Sequence, residues 1–293
     1  MRGSSTMHTR FIALISLLLA GSASAELIVQ PVKAELSGAE PKADYWQKAP
    51  ELVVPLLAQP MIAPRPAETT TPSVTVQAVH DGQRIAFRLR WQDKERSEAG
   101  RLGEFSDALA LQFPVKSNES PPAVMMGSMG DPVHIFHWRA QYQRDAEHGK
   151  PQMKDLYPNL TVDMYPMEFA DPGAVKHLTD ADRERFSPGR AEGNPQAYAK
   201  SGVDEIVAEG FGTSSVQQTH GTVGRAVWQD GEWTLVISRP LEIEGGSVLQ
   251  VGGKSFVAFA VWQGGAGEVG ARKCVTMMWT PLSVVPLVAG GGK

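Results

Sequence analysis

A single cysteine, Cys274, stands in a sequence of 293 residues. No disulfide can therefore close within the chain, although exported proteins are free to use them. The same scarcity excludes a Cys-x-x-Cys-His attachment for a tetrapyrrole and the cysteine set that an iron–sulfur cluster needs. Positive charge is also short: the formal net charge is −4, which argues against a nucleic-acid partner, since that would want a basic face. After residue 25 no run is long and apolar enough to span a bilayer. There is no Gly-x-Ser-x-Gly elbow, no phosphate-binding glycine loop, no His-Glu-x-x-His and no Cys/His zinc spacing. Nothing in these patterns recommends a hydrolase.

What is present begins with a targeting pattern. Arg2 and Arg10 precede the apolar run Phe11–Ala20, and the small residues of 21–25 end in Ala-x-Ala form before Glu26. A basic start, a short apolar stretch and a small-residue end are the parts of a secretory signal. The run is too short for a comfortable anchor helix. Residues 1–25 are read as a cleavable signal peptide, with a mature chain exported to the periplasm. At 42% apolar and 20% charged, that chain can build a proper core, as one large domain or two small ones.

Local patterning is that of strands. Val74, Val76 and Ala78 alternate with polar residues up to His80-Asp81-Gly82-Gln83, after which Ile85, Phe87 and Leu89 alternate again. Period-two patterning on both sides of an Asp-Gly turn predicts a hairpin. A second is predicted around Gln229-Asp230-Gly231, between Gly224–Trp228 and Trp233–Ser238. Further strands are expected at Leu27–Val32, Ala108–Phe113, Val133–Trp138, Ser255–Trp262 and Cys274–Trp279. Short strands separated by turns point to an all-β fold, an antiparallel β-sandwich with a few short helices and long loops. The polar stretch 141–213 reads as irregular, with brief helices expected at 180–186 and 203–209, and as the surface that faces a partner.

Two places hold side chains with metal-binding chemistry. Met125, Met126 and Met129 lie among glycines just before the strand at Val133. Methionine is usually a flexible core filler, yet its thioether is a soft ligand and glycine permits close backbone approach. Lys273 follows a strand and a glycine-rich turn; by itself a lysine there is a solvated edge residue. His134 and His137, three apart on a strand, point to opposite faces and cannot share a metal.

These stretches together resemble the haem b-binding γ subunits of the ethylbenzene dehydrogenase and dimethylsulfide dehydrogenase group, which includes chlorate and selenate reductases. The resemblance runs from Trp46 and Val54-Pro-Leu56 through Phe87–Asp93, Met126–Val133 with Trp138, and Ala208–Thr213. It ends in Trp233 with Ser238–Leu241, and in Ala260–Trp262 through Lys273 to Trp279. Spanning nearly the whole mature chain, it implies a single haem-binding domain over 26–293. It also implies one non-covalent haem b with a methionine and a lysine as axial ligands. By the family spacing, a Met-Gly pair followed by Pro-Val, these are Met126 and Lys273. Met129 and Met125 are alternative sulfur ligands, and Cys274 is a weaker one. Only a neutral amine can bind iron, and burial favours that form. Six-coordinate iron suits electron transfer rather than turnover. The implied role is a non-catalytic relay between an iron–sulfur β subunit, itself joined to a molybdopterin α subunit, and a soluble cytochrome. The other reading is an exported β-sandwich module that binds a sugar or another small ligand without haem, with Trp91, Trp138, Trp228 and Trp233 as a stacking platform.

Overall fold

The computed structural model describes residues 25–116, 120–151, 153–159, 188–192, 194, 197, 199–218 and 220–287. Residues 1–24, which hold the signal pattern, and the helix expected at 180–186 lie outside the described residues.

The described chain is mostly strand. In order the strands are β1 (Leu27–Pro31), β2 (Leu52–Pro55), β3 (Leu57–Ala58), β4 (Ser73–His80), β5 (Arg84–Gln92), β6 (Ala108–Pro114) and β7 (Val133–Arg139). There follow β8 (Val203–Ala208), β9 (Ser215–Val216), β10 (Val223–Gln229), β11 (Glu232–Pro240), β12 (Lys254–Trp262), β13 (Cys274–Val275) and β14 (Thr280–Val284). Both predicted hairpins form. At the first, Asp81 Oδ1 accepts from the backbone of Gln83 and Arg84 at 2.9 and 2.7 Å, and Gly82 takes φ 96°. At the second, Asp230 and Gly231 both have positive φ, 52° and 81°, the primed geometry that matches strand twist.

All fourteen strands belong to one sheet that folds over on itself along β12. Lys254–Val257 pair with β14, whereas Ala258–Trp262 pair with β6. The first layer is β10-β11-β5-β4-β1-β14, and the second continues β12-β6-β7-β8-β9, with β13 and β3 beyond β12. The inner faces meet in one core. Phe87 lies 5.5 Å from Phe113, Trp91 lies 6.1 Å from Trp138, and Trp233 lies 5.1 Å from Trp138, centroid to centroid. The expected sandwich is therefore the architecture.

Three local expectations change. β1 runs parallel to both its neighbours, β4 and β14, because residues 32–72 and the far end of the chain, not tight hairpins, connect it to them. The stretch 203–208 is a strand, not a helix; it pairs with β7 along its length, and tertiary pairing overrides a brief helical pattern. The strand expected at Cys274–Trp279 stops after Val275. Thr276 closes it: its Oγ1 accepts from Phe259 N at 3.0 Å while its own N–H donates to Phe259 O at 3.0 Å. The chain then crosses to the first layer as β14. The stretch 141–213, read as irregular, opens with a helix, α1 (Ala140–His148), that buries Ala140 and Tyr142.

Candidate cofactor site

The second layer has an outer face unlike the first. Strand alternation and register put Ala260, Ala110, His137 and Asp204 in one row across β12, β6, β7 and β8. The next row holds Ala258, Gln112, Ile135 and Ile206; on the other side Trp262 opposes Ala108, and Ala108 opposes Arg139. Val275 on β13 opposes Ala260, so it faces the same way. The result is a floor paved with alanine and walled by larger apolar groups. Ala108, Ala110, Val133, Ile135, Ala208 and Trp262 form one buried cluster, against which Met126, Ile206, Ala260 and Trp279 pack.

One end of the floor is covered by the loop 121–131. Gln112 Nε2 donates to Val124 O and Trp279 Nε1 to Pro122 O, each at 2.7 Å, and Gly210 N donates to Met126 O at 2.8 Å. Met126 adopts φ 66° and Gly127 φ 76°. A methionine in the left-handed region is strained, by about 1–3 kcal/mol, and persists only where its surroundings hold it. A side chain at Gly127 would meet Asp131 O at 2.8 Å and Ala208 O at 3.2 Å, so only glycine lets the loop close onto β8. The second Met-Gly pair differs: Met129 is 92% exposed, and nothing lies within 4 Å of a Cβ built on Gly130. Met125 is half-buried and, unlike Met126, is not among the residues packed against the floor.

At the other end, Lys273 lies half-buried with Nζ 4.8 Å from the centre of the Trp262 ring. Its carbonyl accepts from Gln59 N at 3.0 Å, and the adjoining β13 is clamped between β12 and β3. Burial lowers its pKa to about 8, so the neutral amine is far more accessible than in a solvated lysine. Cys274 points the other way, into the core, with Sγ 3.5 Å from Thr71 N and 3.4 Å from Thr70 Oγ1.

The two histidines do take opposite faces. His134 is in the core, where Nδ1 accepts from Ser247 N at 3.1 Å and Nε2 lies 3.7 Å from Glu205. His137 is on the floor, its ring 4.8 Å from that of Trp262. Burial holds it neutral, and Arg139 Nη2 lies 3.4 Å from Nδ1. An arginine can only donate, so Nδ1 accepts and the proton sits on Nε2, which is buried with no acceptor. A ring in that tautomer offers no lone pair to a metal at Nε2. The alanine floor was missed from sequence; its one signal there was Ala-x-Ala repeated at 108–110 and 258–260.

A face of this kind fits a flat, apolar macrocycle: small side chains leave room in the middle, and a thioether and a low-pKa amine rise from opposite ends. The ethylbenzene dehydrogenase family model matches residues 43–274, which include both of these side chains and all of the floor except Val275 and Trp279. The chain belongs to the ethylbenzene dehydrogenase family. Within the group it is 26% identical, over 86% of its own length and 70% of the relative's, to a Haloferax mediterranei protein named as a respiratory nitrate reductase haem subunit. It is 27% identical to the chlorate reductase γ subunit of Ideonella dechloratans, over 83% of this chain and 79% of that one. To the dimethylsulfide dehydrogenase γ subunit of Rhodovulum sulfidophilum it is 23% identical, over 84% and 76%. A carbohydrate-binding protein structure from Bacteroides uniformis covers 88% of this chain, and this chain 98% of it, at 10% identity and a TM-score of 0.46. Nothing about function follows from a likeness of that grade.

Proposed function

We propose that this member of the ethylbenzene dehydrogenase family is the haem-carrying electron-transfer subunit of a molybdenum oxidoreductase complex, and is not itself catalytic. The observation that carries the proposal is the alanine-paved face, with Met126 packed at one end and Lys273 desolvated at the other. Its three relatives are named as haem or γ subunits of oxidoreductases, which supports the same reading.

In this reading Met126 and Lys273 would hold one haem b non-covalently, through the thioether sulfur and the amine nitrogen. Bound haem supplies a one-electron iron couple, and thioether ligation tends to raise its potential. The chain's own residues do the rest. The positive φ of Met126 and the close approach of Gly127 to β8 point the thioether at the floor rather than at solvent. Burial lowers the pKa of Lys273 to about 8, so that its proton is displaced by a metal far more readily than that of a solvated lysine. Ala110, Ala258 and Ala260 keep the floor flat, and Trp262 with Ile135 excludes water. Exposed Met129 is a poor competitor as sulfur ligand, and Met125 a weaker one than Met126. An iron–sulfur β subunit with its molybdopterin α subunit on one side, and a soluble cytochrome on the other, complete the relay. No helix among the described residues is long and apolar enough to cross a membrane. The signal pattern in residues 1–25 supports a periplasmic location, and the core shared by the two layers supports a mature chain that is a single domain.

The stacking platform of the sugar-binding reading finds no support. Trp91, Trp138 and Trp233 are 2%, 0% and 3% exposed, inside the core, and Trp228 is only partly exposed, with Nε1 bound to Asp93 O at 2.9 Å.

The test is spectroscopic. Mature protein produced with adequate haem should be red, give a sharp low-spin b-type reduced-minus-oxidised spectrum, and release its haem into acid acetone. Met126→Ala and Lys273→Ala should each turn the iron high-spin or empty the site. Well-folded protein that stays colourless with added haem would sink the proposal, and loss in Met129→Ala but not in Met126→Ala would reassign the sulfur.

A further inference from the structure

Charge is unevenly spread over the outer face of the second layer. The floor ends on its Trp262 side in two arginines, Arg139 and Arg272, beside Lys273. Arg139 leaves β7 on the same side as His137, and its guanidinium meets only neutral groups. Nη1 donates to Tyr142 Oη at 2.7 Å, Nη2 lies 3.4 Å from His137 Nδ1, and Cζ lies 4.6 Å over the Tyr142 ring. Arg272 lies with Cζ 5.7 Å from the centre of the Phe105 ring, and its Nε is buried with no acceptor. Elsewhere the guanidinium groups are answered by oxygen: Arg90 has Glu51, Arg96 has Glu98, Arg144 has Asp145 and Arg225 has Glu40, while Arg84, Arg88, Arg101 and Arg239 donate to backbone carbonyls or to serine and glutamine side chains. Arg139 and Arg272 have none within ion-pair distance among the described residues. The carboxylate that senses Arg139 is Asp204, opposite His137 on β8, and it is one negative charge against two guanidinium groups.

A half-buried guanidinium without a counter-charge leaves charge and donors that its own fold does not answer. Two of them at one end of an apolar floor are complementary to an anion whose body is flat and greasy. Guanidinium groups also match carboxylates in geometry, through paired donors. We propose that Arg139 and Arg272 form a carboxylate subsite at the Trp262 end of the floor, anchoring the propionate groups of the bound tetrapyrrole. The inference rests on the haem reading above, and adds the residues that set which way round the macrocycle lies.

The experiment separates the two. Mature protein freed of haem is titrated with haem and with haem dimethyl ester, in which both carboxylates are blocked, following the low-spin Soret band. The ester should bind about tenfold more weakly or worse, the loss expected when charge-assisted hydrogen bonds are removed. Arg139→Gln with Arg272→Gln should weaken haem but not ester, closing most of that gap while the bound form stays low-spin. Arg139→Lys with Arg272→Lys should keep part of it. Equal affinity of the wild-type protein for haem and ester would overturn the subsite and leave the haem reading standing. Binding of neither would overturn the haem reading itself, and the subsite with it. The wild-type comparison needs no variant, so a misfolding double mutant does not blunt the test.

Discussion

Glycine and a buried acid show how single residues hold the site in place. Gly127 and Gly130 both have positive φ, 76° and 80°, but only Gly127 has neighbours that a side chain would strike. Gly130→Ala should therefore cost about 1–2 kcal/mol in urea unfolding, the strain of a positive φ alone, whereas Gly127→Ala adds a clash with the backbone and should cost about 3 kcal/mol or more and loosen the loop. Asp93 and Asp107 are a buried carboxylate pair at the entry to β6. Burial raises the pKa of Asp107, and the bonds it accepts from Ser97 N at 2.7 Å, Gly264 N at 2.8 Å and Trp233 Nε1 at 3.1 Å offset part of that rise. Asp93 has one carboxylate oxygen with no partner, and burial, with Asp107 beside it, pushes its pKa up from 3.8 to about 7. A raised acid holds its proton longer in the folded state than in the unfolded one. Stability should therefore fall as pH rises from about 4 to about 7, then level off. Asp93→Asn should flatten that slope and raise the urea midpoint at pH 8 more than at pH 5. An unchanged slope would show that Asp93 is not the group.

At the level of elements, the hairpins were legible because their signals are local: alternation and an Asp-Gly turn are properties of a dozen residues. Strand β8 and the break after Val275 were not legible. Each is decided by a partner distant in sequence, β7 for one and Phe259 of β12 for the other. The floor shows the same limit. Ala-x-Ala in β6 and in β12 is unremarked in either strand alone, and becomes a flat surface only when Ala110 is set opposite Ala260. A large side chain there should act on the ligand rather than on the fold. Ala260→Phe should abolish haem uptake, followed at the Soret band, while changing the stability of the haem-free chain by less than about 1 kcal/mol, as is usual for substitutions outside a packed core. A variant that binds haem normally would show that the macrocycle lies elsewhere.

Across the whole molecule, the two layers depend on an aromatic seam. Trp138 is fully buried, touches Trp91 and Trp233, and is hydrogen-bonded through Nε1 to Gln143 at 2.9 Å. Trp138→Ala should cost about 3–5 kcal/mol in chemical denaturation, because neighbouring layers cannot collapse into the space it leaves. From sequence the tryptophans had a second possible use as a binding platform, since composition does not say which face of a strand is inside. The sequence by itself determined the strand-rich class, both hairpins, the lack of any cysteine-held cofactor and the residue types able to hold iron. These follow from local periodicity and from what is absent. Only the tertiary structure decided that Met126 packs on the floor while Met129 faces water, that Cys274 turns inward, and that Arg139, Trp262, Arg272 and Lys273 share one end of a face. Those outcomes depend on which strands pair and in what register, and that is settled by burying the core between two layers rather than by any short stretch of chain.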